Sequence, residues 1–250
     1  MADELTFGRP QEAEPILRRA LVLFEKLAID FHETPHFRTR PARVRHSLAD
    51  ALARLGRARD AEEEYRQAIA LCQPIVADFP NGLNYRSALG NFYDELGTVL
   101  EATNRLDEAE QACRLAWAVA SDVVRPEAQP QLHWFERLDQ TQSHLVKILM
   151  AAGRTPEVEV HYRQALTLWE KLAAQSPSVL DYKQKLAQTH LLLANFLSAE
   201  NRTEETEKST TEAISLLEAT LADLKTKLGP DHPSTLKRIH QLAGFCSAAE

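Results

Sequence analysis

A short signature recurs five times along the chain, at Gly8-Arg9, Gly56-Arg57, Asn104-Arg105, Gly153-Arg154 and Asn201-Arg202, with steps of 48, 48, 49 and 48 residues. Each copy is followed at a fixed offset by an acid, a small or β-branched residue and a glutamate. These triplets are Glu12-Ala13-Glu14, Asp60-Ala61-Glu62, Glu108-Ala109-Glu110, Glu157-Val158-Glu159 and Glu205-Thr206-Glu207. One motif at near-constant spacing marks a repeat array, in which each unit packs mainly on its neighbours. Gly and Asn tolerate the left-handed conformation that ends a helix. The acids that follow suit the positive end of the next helix dipole. Each signature therefore predicts a tight helix–turn–helix corner, with the small residues at Ala61 and Ala109 letting two helices approach closely.

Between corners the apolar spacing is helical. Leu48, Leu52 and Leu55 precede Gly56, and Leu96, Val99 and Leu100 precede Asn104. Leu145, Ile148 and Leu149 precede Gly153, while Leu193, Phe196 and Leu197 precede Asn201. A second stripe follows each corner, as in Ala61, Tyr65, Ala68 and Ile69 or Val158, Tyr162, Ala165 and Leu166. A second element joins one repeat to the next: residues 30–38 align without gaps on residues 78–86, and Ser176-Pro177 through Tyr182-Lys183 is another copy. Ten helices are expected, arranged as a half repeat at 1–30, full repeats at 31–78, 79–126, 127–175 and 176–227, and a terminal half repeat at 228–250, all in one solenoid spanning 1–250.

Composition agrees with helices: 44% of residues are hydrophobic and only 7% aromatic. The net charge of −7 is spread along the chain with no block of one sign, which argues against nucleic-acid and membrane partners. Cys72, Cys113 and Cys246 lack CxxC spacing and fit buried thiols in a reducing compartment. Met1-Ala2-Asp3-Glu4 has no signal-peptide character, and the apolar run from Leu191 to Leu197 is too short to cross a bilayer. A cytoplasmic location is expected.

These features together resemble the tetratricopeptide-repeat family over nearly the whole chain. Its pattern of a Leu–small pair, a corner, then small–aromatic–small is met by Leu48-Ala49, Gly56, Ala61, Tyr65 and Ala68. It is met again by Leu96-Gly97, Asn104, Ala109, Cys113 and Ala116, by Leu145-Val146, Gly153, Val158, Tyr162 and Ala165, and more loosely by Leu193-Ala194, Asn201, Thr206, Thr210 and Ala213. Leu228-Gly229-Pro230-Asp231-His232-Pro233 with Leu242-Ala243 resembles kinesin-light-chain-type repeats. The resemblance implies an all-α right-handed superhelix of antiparallel helix pairs. The family's usual period is about 34 residues. Roughly 14 more per unit amount to about 3.9 helical turns, so each helix gains about two turns and the packing faces stay in register. Such long-period arrays resemble parts of bacterial signalling proteins, where they often follow a kinase domain.

Other motifs are bland. His32-Glu33-Thr34-Pro35-His36 matches HExxH, but Pro35 disrupts the helix on which both histidines would need to lie. Arg38, Arg40, Arg43 and Arg45 read as a solvated helix face. His46, His144, His161 and His190 have no metal-ligand spacing, and Trp117, Trp134 and Trp169 read as core. No catalytic, cofactor-binding or metal residue is expected, and the chain is not expected to be an enzyme.

The family resemblance implies a concave groove lined by first helices and holding a protein or peptide partner. The inward positions are Arg43, His46, Asp50 and Arg54, then Asn91, Asp94, Thr98 and Glu101. The third set is Gln140, Ser143, Lys147 and Met150, and the fourth Gln188, Leu191, Asn195 and Ser198. His46 and Asp50 stand where a carboxylate clamp would want Lys and Asn, so a mixed-charge helix or extended segment is the expected ligand. Asp94 and Glu101 are expected to be exposed in that groove, and Glu62 and Glu110 to lie on the convex side. The function implied is a protein-interaction scaffold, with a peptide-responsive sensor as the alternative. The uncapped ends leave room for self-association.

Overall fold

A computed structural model describes residues 9–124, 132–233 and 236. The described residues form nine helices and no strand. The chain divides into two compact units, Met1–Arg154 and Thr155–Glu250. The first holds α1 (Pro10–Asp30), α2 (Pro35–Arg54), α3 (Ala58–Asp78), α4 (Leu83–Ala102), α5 (Leu106–Val123) and α6 (Leu132–Ala151). The second holds α7 (Thr155–Gln175), α8 (Leu180–Ala199) and α9 (Thr203–Leu228). The tenth expected helix, with Cys246, lies outside the described residues.

Within each unit every helix packs on its neighbours in sequence, α1 on α2 through α5 on α6 and α7 on α8 on α9. In the first unit α2 also touches α4, and α4 touches α6, so the first helices of successive repeats form a layer of their own. This order of contacts defines an all-α solenoid.

The corners carry the geometry. Gly56, Asn104, Gly153 and Asn201 have φ of 75°, 60°, 70° and 59°, and they are the left-handed stops expected. At each, two backbone bonds close the helix. Gly56 N–H donates to Ala53 C=O and Arg57 N–H to Leu52 C=O, and the same pair recurs from Asn104 and Arg105, Gly153 and Arg154, and Asn201 and Arg202. That is the Schellman arrangement, and it satisfies carbonyls that the helix end would otherwise orphan. The expected stripes are buried: Leu48, Leu52, Ala61, Tyr65, Ala68, Leu100, Ala109, Leu145, Leu149, Val158, Tyr162, Leu197 and Ala213. Trp134 and Trp169 are core, as expected, whereas Trp117 is only half-buried.

The acids after each corner do more than complement a dipole. Arg57 donates to Asp60 at 2.6 Å and to Glu14 of the preceding repeat at 2.9 Å. Arg105 repeats this on Glu108 at 2.7 Å and Glu62 at 2.6 Å, and Arg202 on Glu205 at 2.7 Å and Glu159 at 2.5 Å. Arg154 reaches Glu110 in the same way. Each shared glutamate also receives an arginine four residues along its own helix: Arg18 on Glu14, Arg66 on Glu62, Arg114 on Glu110 and Arg163 on Glu159. An ion-pair ladder thus links repeat to repeat within each unit. Arg18 and then Arg57 hold the Glu14 carboxyl below the usual carboxylate range, and Arg202 and then Arg163 do so for Glu159.

Two outcomes are expected. Ala61 is fully buried, so Ala61→Leu overpacks the hairpin at a cost of about 1–3 kcal/mol. Hydrogen exchange should loosen α2 and α3 first, and a uniform loosening of all helices would argue against nearest-neighbour packing. For Arg202→Gln, Glu159 loses the stronger of the two partners that lower its pKa. A lowered folded pKa stabilises above the unfolded value of 4.5 and is lost as pH falls through the folded value. The melting temperature of the variant should therefore lie below wild type at pH 7 in low salt. The gap should narrow as pH falls below 4.5 and also in 1 M salt; an unchanged gap in acid would show that the ladder is not its source.

Candidate partner-binding face

The sixteen groove positions divide by burial into two groups. Arg43, Arg54, Thr98, Gln140, Ser143, Lys147, Met150, Asn195 and Ser198 are exposed. His46, Asp50, Asn91, Asp94, Glu101, Gln188 and Leu191 are half-buried. The structure therefore departs from the expectation that Asp94 and Glu101 project into solvent: their side chains are 13% and 19% exposed.

In the first unit the half-buried members are each paired, mostly across the first-helix layer. Asp50 accepts the Tyr65 hydroxyl at 2.5 Å, and Asn91 lies 2.8 Å from His46. Arg137, on α6, donates to Asn91. Asp94 meets His144 Nδ1 at 3.0 Å, and Glu101 takes Lys147 at 2.8 Å and lies 3.5 Å from His144 Nε2. Burial alone would lower the His144 pKa, but the Asp94 and Glu101 carboxylates outweigh it and hold the imidazole above its ordinary value. Burial, and next the Asp50 and Asp94 charges, push Glu95 up to about 7 against the pull of Arg137 and His144. Lys147 pairs inward with Glu101, yet its side chain is 68% exposed.

His144, Glu95 and Arg137 were not among the groove positions derived from sequence. The histidine had no ligand spacing because its contacts, Asp94 and Cys113, lie 50 and 31 residues away. The basic stretch is not a solvated face throughout: Arg38 pairs with Asp78 at 2.6 Å, and Arg45 with Glu25 and Glu64 at 2.7 Å each. Arg43 is exposed. His32 lies in the turn after α1 while His36 lies on α2, so the two histidines share no helix. Glu110 is buried and Glu62 largely so, and both belong to the ladder. Two open cavities contain none of the sixteen positions. One of about 510 Å³ is lined by Ile29, Pro41, Leu71 and Ile75 among others, and one of about 410 Å³ by Leu166, His190, Leu197 and Glu212 among others.

Comparison with known proteins agrees with this architecture. A tetratricopeptide-repeat family model matches residues 42–76, the α2–α3 hairpin. The crystal structure of BtubC (BKLC) from P. vanneervenii is similar at a TM-score of 0.53 and 16% identity, covering 97% of this chain and 92% of that one. The TPR-like repeats of a Podosopora anserina protein described as a kinesin light chain align at a TM-score of 0.49 and 20% identity, over 91% of this chain and 93% of that one. No curated protein matches the chain. Residues 42–76 thus match a tetratricopeptide-repeat unit, and the chain has a TPR-like α-solenoid fold. Repeats of this kind mediate protein–protein interaction and are typically non-catalytic. No helix among the described residues is long and apolar enough to cross a membrane.

The burial of the carboxylates has a measurable consequence. Asp94→Lys with Glu101→Lys places two cations against His144 and Lys147 and should lower stability by about 1–3 kcal/mol. Urea unfolding checks it, and an unchanged midpoint would mean that the paired carboxylates contribute nothing to the layer.

Proposed function

We propose that the chain is a non-catalytic interaction scaffold whose first-helix face binds a polypeptide segment, helical or extended. One observation carries this reading. In the first unit, paired polar groups lock the first-helix layer from below, and exposed Arg43, Arg54, Gln140, Ser143, Lys147 and Met150 stand on it. A surface held rigid by its own hydrogen bonds loses little side-chain freedom on binding. The exposed charges of this set, Arg43, Arg54 and Lys147, are all positive, while Asp50, Asp94 and Glu101 are half-buried beneath them. The ligand this face suits therefore carries acidic side chains flanking an apolar one that meets Met150. In the second unit, α8 carries a neutral set of its own, exposed Asn195 and Ser198 with half-buried Gln188 and Leu191.

Cytoplasmic residence, and a place within a larger signalling protein, belong to the same reading. They rest on interleaved charge, on the free buried thiols of Cys72 and Cys113, and on the long repeat period. Exposed Ile16, Val22, Leu23 and Ile29 on α1 support self-association as a further property.

The test uses any partner identified by capture with the full chain. Arg43→Glu with Arg54→Glu should weaken its affinity about 10- to 100-fold, the loss expected when charge-assisted contacts are reversed. Arg59→Glu with Gln111→Glu, exposed positions on α3 and α5 outside the ladder, should leave it unchanged. The opposite pattern would place the ligand on the second helices, and the 410 Å³ cavity of the second unit would then be the next surface to test.

A further inference from the structure

Three side chains from three helices converge beneath the first-helix face of the first unit. Asp94 comes from α4, Cys113 from α5 and His144 from α6, and one oxygen, sulfur and nitrogen of the three lie within 4.8 Å of one another. Cys113 Sγ is 3.4 Å and Asp94 Oδ1 3.0 Å from the same atom, His144 Nδ1. The other ring nitrogen, Nε2, lies 3.5 Å from Glu101.

The distances suit a shared cation. In a tetrahedral zinc site the metal sits about 2.3 Å from sulfur and about 2.0–2.1 Å from nitrogen or oxygen, which sets ligand atoms about 3.3–3.6 Å apart. The sulfur separation of 3.4 Å falls in that range and the oxygen separation of 3.0 Å lies about 0.3 Å short of it, so a metal would need only small shifts of side chains. The outer partner is also in place. A histidine that ligates through one nitrogen usually donates its other N–H to a carboxylate, which fixes the tautomer and ring orientation. With Nε2–H turned to Glu101, the Nδ1 lone pair faces the Asp94 oxygen and the Cys113 sulfur. In that tautomer, with the Cys113 thiol deprotonated, a cation between the three atoms would take all of them as ligands.

The backbone leaves room for the sulfur. A Cβ on Gly97 would stand 2.6 Å from Cys113 Sγ and 3.5 Å from His144 Cε1, so only glycine at that position permits the thiol to sit where it does. Cys113 is fully buried, while Asp94 and His144 each keep 13% of their side-chain surface.

We propose that Asp94, Cys113 and His144 form a binding site for a borderline divalent cation of the zinc class, with water completing the coordination and Glu101 acting as a positioning residue. Mixed sulfur, imidazole and carboxylate donors favour zinc or cobalt over magnesium or calcium, which prefer oxygen alone. On binding, the Cys113 S–H proton and, from the charged imidazole, the His144 Nδ1 proton pass to solvent, and the freed sulfur and nitrogen lone pairs bond the metal; nothing is oxidised or reduced. The ion would fasten the α4–α5 hairpin to α6 and so clamp one repeat to the next directly under the proposed partner-binding face.

The experiment uses the full chain, stripped with chelator and titrated with cobalt(II). The expected result is one cobalt per chain, a thiolate-to-cobalt charge-transfer band with tetrahedral d–d absorption, and displacement of both by zinc. Cys113→Ser should abolish the band, whereas Cys72→Ser, Cys246→Ser and His36→Ala should leave it intact. Glu101→Gln should weaken binding about 10- to 100-fold while the band shape survives, which separates a positioning role from a ligand role. Should Cys113→Ser fail to fold, the near-isosteric Asp94→Asn takes its place and should lower affinity at least tenfold. The proposal is overturned by a wild-type chain that shows no charge-transfer band, by a band that persists in Cys113→Ser, or by unchanged affinity in Asp94→Asn.

Discussion

The left-handed residue that closes each first helix sets the position of nearly everything else. At Gly56, Asn104, Gly153 and Asn201 the backbone turns over within one residue, and the arginine that follows ends one helix and begins the next. Its N–H donates back to the buried leucine two residues before the helix's last carbonyls, while its side chain leaves the corner outward. From there the guanidinium meets an acid three residues ahead and a glutamate of the preceding repeat. A local conformational preference is thereby converted into a contact between units. That is the step a solenoid requires, because a single hairpin cannot bury its own apolar faces.

The parts of this architecture that were legible in sequence are those encoded locally. Gly and Asn at the corners, Leu three to four residues before them and small residues after them each act through their own backbone or helix face. They read correctly one segment at a time. The ladder was harder to see, because Arg105 and Glu62 stand 43 residues apart. The signal was present nonetheless: the same arginine and the same second glutamate return in every copy, and a helix dipole explains only the first acid. The layer beneath the face was hidden for another reason. Asp94, Glu101 and His144 look like exposed polar residues when spacing alone is considered, and only the contact of α4 with α6 buries them against each other.

That buried layer balances two demands. Polar groups removed from water cost free energy unless each finds a partner, and here three of the pairings cross from one first helix to another. His46 with Asn91, Asn91 with Arg137, and Asp94 with His144 fix the register of neighbouring helices in a way that interchangeable leucines would not. Close approach is part of the same design. Gly97 lies against the Ala109 carbonyl and the Cys113 sulfur, so α4 and α5 meet almost backbone to backbone where the polar cluster sits.

The sharing of each ladder glutamate has an evolutionary consequence. Glu62 is held by Arg66 of its own helix and by Arg105 of the next repeat, and Glu159 likewise by Arg163 and Arg202. Every unit therefore offers an acceptor on one edge and a donor on the other. A stretch of gene copied whole and inserted in tandem would arrive with both halves of its joint already made. Lengthening such an array by duplication asks for no compensating change at the new junction, whereas inserting a foreign hairpin would strip a carboxylate and a guanidinium of one of their two partners.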